Sequence, residues 1–327
     1  MKNRWLGLAE MAACALSVFR RVALLASLFV ISACGGGGGS SPAAPAPPAP
    51  PPAAPLPAPT VAQMNAGSLL ASQATFGMPF EGIETIAQTG HPVWLDSQFA
   101  LPVTRHTPVV DALVTRRTAG EFAAFEQNIE FLIYFRRFGW WHNTLTAPDV
   151  VRQRVAFALS EIFVVSDNVD ALIINPYALT NYFDMLLANS FGNYRDLLKD
   201  VALHPAMGIY LSHVNNRKTD PANNTFPDEN FAREVMQLFS IGLFELNIDG
   251  SEQTDNTGRP VPTYGNDEIR EFAKMFTGLS YGGFGASFGN PNPVFQAPMT
   301  MFYAFHEPGE KRLLNGVVVP AGQTGDQ

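Results

Sequence analysis

Disulfides are the first thing this chain does without. Its 327 residues hold two cysteines, Cys14 and Cys34, so nothing beyond residue 34 can be cross-linked within the chain and stability there must come from packing. Long apolar runs are also missing: the strongest, residues 22–33, falls well short of the roughly 20 residues that a membrane-spanning helix needs. Histidine is sparse. His91, His106, His142, His204, His213 and His306 include no pair four residues apart, which removes a zincin-type metal site from the local sequence. Positive charge is in deficit, with 21 Lys and Arg against 29 Asp and Glu and a formal net charge of -8. Such a balance repels phosphate backbones, so nucleic acid is not an expected partner.

What is present begins with an address. Lys2, Arg4, Arg20 and Arg21 precede the apolar run, which has the length of a signal-peptide core. The run closes on Leu28-Phe29-Val30-Ile31-Ser32-Ala33-Cys34, which resembles a bacterial lipobox, with cleavage expected before Cys34 and lipid on its sulfur. A plain secretory peptide or an N-terminal membrane helix is the other reading. Residues 1–33 are thus expected to be a lipoprotein signal peptide, whose removal takes four basic and one acidic side chain and moves the formal charge from -8 to -11. Residues 34–60 are expected to be the lipidated cysteine and a disordered Gly, Pro and Ala linker, uncharged from 35 to 59. Its Ala-Pro part favours polyproline II and would reach about 55 Å at about 3.1 Å per residue. The expected location is the cell envelope, anchored by lipid to the outer membrane or a periplasmic face.

From Thr60 onward the spacing turns helical, and no fixed-period repeat or strand alternation precedes residue 244. Short helices are expected at 61–75, 79–88 and 91–99, punctuated by Gly77, Pro79, Gly90 and Pro92. An aromatic-rich helix is expected over 121–142, then an apolar one opened by Pro148 and running to Ile162, which its composition marks as the central buried helix. Others follow at 176–189, at 194–204, briefly after Pro205, and at 267–277. The tail suggests a hairpin through 302–305 and 311–319. The expected fold is mainly α: a single multi-helix domain over 61–327 with a minor C-terminal hairpin.

The chain is organised around residues 227–242. Asp228 can cap a helix, Glu229 suits its positive end, and Gly242 ends it. At about 100° per residue Phe231, Val235, Leu238 and Phe239 share a face. Opposite them Asn230, Arg233, Glu234 and Gln237 are spaced to interlock as a structural polar network. A solvated face carrying an ordinary Glu229–Arg233 pair is the plainer reading, and both stay open.

Stronger signatures fail on context. Gly285-Ala286-Ser287-Phe288-Gly289 matches a nucleophile elbow literally, but Gly282-Gly283 precedes it and Asn290-Pro291 follows, so a loop is expected. Asn247, Asp249, Ser251 and Asp255 offer oxygens to calcium, yet the sixth and twelfth places of that loop hold Glu252 and Gly258. Trp140-Trp141-His142, behind Phe131, Tyr134, Phe135 and Phe138, reads as core packing or as a platform for sugar rings. His204, before Pro205, can satisfy free carbonyls at a helix end.

Asp228-Glu229-Asn230-Phe231-Ala232-Arg233-Glu234 with Leu238-Phe239-Ser240-Ile241-Gly242, then Tyr264 and the stretch from Asn266 to Gly278, resembles the hallmark of the bacterial family catalogued as domain of unknown function 1800. Ala74-Thr75-Phe76-Gly77, residues 152–166, His204-Pro205-Ala206-Met207 and His306-Glu307-Pro308-Gly309 support the likeness. The resemblance implies a helical exported domain without an established activity, and a chain that is C-terminally truncated. It supplies no catalytic residues. Two functions fit: a tethered envelope lipoprotein that binds another exported protein or an envelope polymer, or an envelope hydrolase, metal-assisted or not. The hydrolase would use Glu234 or Glu271 as base or metal ligand with His213 or His306. No motif calls for a cofactor.

Overall fold

Twelve α-helices form the framework of the computed structural model, which describes residues 57–125 and 129–323. The expected signal peptide and most of the expected linker lie outside the described residues. The first three helices are those the spacing predicts: α1 (Val61–Ala74), α2 (Phe80–Thr89) and α3 (His91–Ala100). Helix α1 opens on a reciprocal cap, in which the Thr60 hydroxyl accepts the Gln63 N–H at 3.3 Å and the Gln63 side chain accepts the Thr60 N–H at 2.8 Å. Together they enclose Ala71, Ile86 and Trp94 against Val151.

Helix α4 (Thr107–Thr118) has no counterpart in the sequence expectation, because its β-branched residues blur the periodicity and its flanking residue His106 makes no side-chain cap. Its cap comes from far along the chain. Asp184 accepts the N–H of His106 at 2.6 Å, the N–H of Thr107 at 3.1 Å and the Thr107 hydroxyl at 2.6 Å.

Helix α5 (Ile133–Thr146) starts later than the expected 121, after 3-10 turns at Ala123–Phe125 and Ile129–Leu132. Ring packing explains the break. Phe122 and Phe135 lie 5.5 Å apart, whereas a continuous helix would separate thirteen residues by about 20 Å.

Helices α6 (Val150–Ile162), α7 (Asp170–Ile173) and α8 (Ala178–Asn189) come next. The central helix is α8 and not α6. Along α8, eight of twelve residues are buried, Leu179, Tyr182, Phe183, Leu186 and Leu187 among them, so it lies deepest in the core. Helix α6 instead buries Arg152 and Gln153 beside Val151 and Ala156, and leaves Ile162 46% exposed. Those polar groups are bonded: Gln153 donates to the Thr104 carbonyl at 2.9 Å, and the Arg152 guanidinium reaches the Leu187 carbonyl at 3.4 Å.

Helices α9 (Tyr194–Leu203), α10 (Pro205–Tyr210), α11 (Asn230–Gln237) and α12 (Asn266–Met275) complete the main core with Met207, Phe231 and Ile269. Two small antiparallel ladders close the described chain. Strand β1 (Leu279–Ser280) pairs with β2 (Thr300–Met301), and β3 (Lys311–Arg312) forms the minor C-terminal hairpin with β4 (Val318–Val319). The strand expected at 302–305 is a 3-10 turn over Tyr303–Phe305. Phe305 stacks on Phe288 there at 3.9 Å. Gly278 enables the junction: its φ is +86°, and a Cβ would meet the Phe302 carbonyl oxygen at 2.9 Å. Among the described residues no helix is long and apolar enough to cross a membrane.

Candidate functional site

The organising helix is shorter than its pattern suggests. After Gln237 the N–H groups of Ile241 and Gly242 both return to the Met236 carbonyl at 3.0 Å, and Gly242 takes φ +76°, so the chain turns out of the helix at its left-handed glycine. Phe231, Ala232, Val235 and Met236 are buried, as is Phe239 just beyond. Leu238, expected on that face, is 60% exposed. The helix has ended by then, and Met236 fills the place. Asp228 accepts the Asn230 N–H at 2.8 Å, as a cap should.

Opposite that face, Arg233 meets Glu229 at 3.4 Å, and Glu229 lies 3.8 Å from Arg270 of α12. Asn230 donates to the Ser212 hydroxyl at 3.2 Å. Among the described residues no side-chain hydrogen bond joins Asn230, Arg233, Glu234 and Gln237 to one another, and Arg233, Glu229 and Arg270 are 39–63% exposed at their side chains. Pairs so wetted contribute a few tenths of a kcal/mol. Tyr264 stands behind this row with its hydroxyl buried and unbonded. Burial pushes its pKa up, while Arg233 and Glu234 act on it in opposite directions.

The remaining acid–base candidates are occupied structurally. Glu271 pairs with Lys274 and accepts the Arg312 N–H at 3.0 Å, tying α12 to β3. Burial alone would raise its pKa, but Lys274 and the Arg312 N–H outweigh it and hold the carboxyl below the usual range, which makes a weak base. His213 is wholly enclosed, stacked on Phe231 at 3.9 Å, and donates from Nε2 to the Ala202 carbonyl at 2.8 Å while Nδ1 has no partner. Burial pushes its pKa down to about 4. His306 donates from Nδ1 to the Thr277 carbonyl at 2.8 Å, and burial lowers its pKa too. No hydrogen bond links these histidines to Glu234 or Glu271. His204 caps α10, accepting the Ala206 N–H at 3.1 Å on Nδ1, and its ring also bonds the Asn181 backbone. Among the described residues no group of three or more His, Cys, Asp and Glu is placed to hold a metal ion.

A different site opens between α5 and α6. Two i, i+4 pairs of α5, Arg136 with Trp140 and Arg137 with Trp141, line a cavity of about 270 Å³ with Phe157 and Ser160 of α6, and Phe183 of α8 also lines it. Both guanidinium groups lie 3.5 Å from the same oxygen of Asp167. The indoles stand nearly perpendicular, 81° apart at 4.8 Å, and Trp141 is 58% exposed. Behind Phe183, His106 stacks at 5.1 Å and donates from Nε2 to Gln153 at 3.3 Å. The sequence marks the two tryptophans but not the arginines, whose signal, a basic pair inside an aromatic helix, reads equally as a solvated edge.

Neither the curated proteins nor the solved structures include a match to this chain. A family model does match, over residues 69–327, and carries the description "Protein of unknown function (DUF1800)". With well over half of its length covered by that model, the chain belongs to the DUF1800 family.

Proposed function

We propose that the protein is a binding or scaffold domain without catalysis of its own, held at the cell envelope by lipid on Cys34 and a Gly, Pro and Ala tether. The observation that carries the binding reading is the α5–α6 cleft, where two cations and two indoles meet an opening of ligand size while sharing one carboxylate. The groups put forward for hydrolysis support it from the other side. Glu271 is engaged by Lys274 and β3, and His213 is a neutral ring inside the core. The lipobox-like run to Cys34 and the uncharged stretch behind it support the anchor. An envelope polymer is the partner that such a tether reaches most readily.

Co-sedimentation of the full chain, purified in detergent, with isolated envelope polysaccharide tests the reading. Saturable retention is expected, reduced about tenfold by Trp141→Ala, a loss of about 1.4 kcal/mol. Retention by no polymer, or retention that Trp141→Ala leaves unchanged, overturns it.

A further inference from the structure

Resting on that binding reading, we infer that the α5–α6 cleft takes a single carboxylated sugar residue of a largely neutral glycan, with Arg136 and Arg137 receiving the carboxylate and Trp140 and Trp141 the ring. Charge is the first argument. Among the described residues Asp167 is the one carboxylate paired with the two guanidinium groups, through one oxygen at 3.5 Å from each, against about 2.7–2.9 Å for strong charge-assisted bonds. One positive charge is left over. Arg136 is 26% exposed at its side chain, so a planar carboxylate meeting its fork would act in a medium where charges attract more strongly than in bulk water. The guanidinium of Arg154 adds positive potential at the rim, 5.4 Å over the Phe157 ring.

Shape is the second argument. The two indoles meet at 81° and form a corner. A saturated ring carries C–H groups on its face and on its edge, so it can touch both walls. Ser160 already donates its hydroxyl to the Phe157 carbonyl at 2.7 Å, leaving its oxygen free to accept from a sugar hydroxyl. Size fits the same answer, since about 270 Å³ lies just under the roughly 300–1,000 Å³ of drug-sized pockets and suits one ring. The net charge of the chain is -8, so a ligand charged at every residue is repelled overall while an isolated acid can be drawn to the paired arginines of the cleft.

Isothermal titration calorimetry on the detergent-solubilised full chain, with glucuronic acid, glucose and glucose 6-phosphate as probes, tests the inference. Glucuronic acid is expected to bind at least tenfold more tightly than either comparator. Arg137→Gln and Trp141→Ala, both at well-exposed side chains and checked for unchanged circular dichroism, are each expected to weaken it about tenfold. Equal binding of glucose overturns the charge selectivity and leaves a sugar-binding cleft. Tighter binding of glucose 6-phosphate overturns the carboxylate. Heat from none of the three, with envelope polymer still retained, moves the binding surface elsewhere, whereas loss of polymer retention as well sinks the binding reading with it.

Discussion

His213 and His204 are imidazoles kept neutral by enclosure, with burial pushing their pKa values down to about 4 and about 3. In the unfolded chain both would titrate near 6.5. Between the two values the unfolded state binds more protons, so their contribution is complete above pH 6.5 and fades as the solution is acidified. From pH 7 to pH 5 each should remove on the order of 2 kcal/mol of stability. Thermal unfolding followed across that window is expected to show Tm falling, with a shallower fall in His213→Gln. A pH-independent Tm would contradict the neutral assignment. Asp184 is buried as well, with three donors aimed at its side-chain oxygens. Asp184→Ala strands those donors and should cost about 3 kcal/mol in urea unfolding.

At the scale of elements, the end of α11 gives a direct contrast. Met236→Ala, at a side chain 2% exposed, should cost about 2–5 kcal/mol. Leu238→Ala should stay within about 0.5 kcal/mol. Equal losses would restore the longer helix. Gly278→Ala combines a left-handed φ with a contact that cannot yield, and its midpoint in urea should fall by more than that of any exposed substitution. These contrasts also mark how far residue patterns reach. Helices α1 to α3 and α8 to α12 could be read because their stops and starts are local: Thr60 with Gln63, Gly90, Asn193, Gly265 with Glu268. Helix α4 was hidden because its cap is remote, whereas α5 was legible and only its start was misplaced, because ring contacts at Phe122 override helical spacing. Of the candidate site, the tryptophans were visible and the arginines were not. Their meaning comes from Asp167, which a helical wheel on α5 cannot supply.

For the whole molecule, the decisive question is address. Cys34→Ser should abolish metabolic labelling by a fatty acid and release the chain from the membrane fraction, while its circular dichroism stays that of the parent. Labelling that persists in Cys34→Ser would refute the anchor. A final consequence follows from the carboxylate that caps α4. Its ligands lie 77 and 78 residues upstream, and no nearer side chain substitutes for it. During synthesis the first turn of that helix must therefore stay frayed until α8 has emerged and closed a large loop, an entropy cost that grows with the logarithm of its length. The cap of α4 thus forms only once residue 184 has been made, and a nascent chain arrested before it should exchange the amide hydrogens of His106 and Thr107 as freely as an unfolded one.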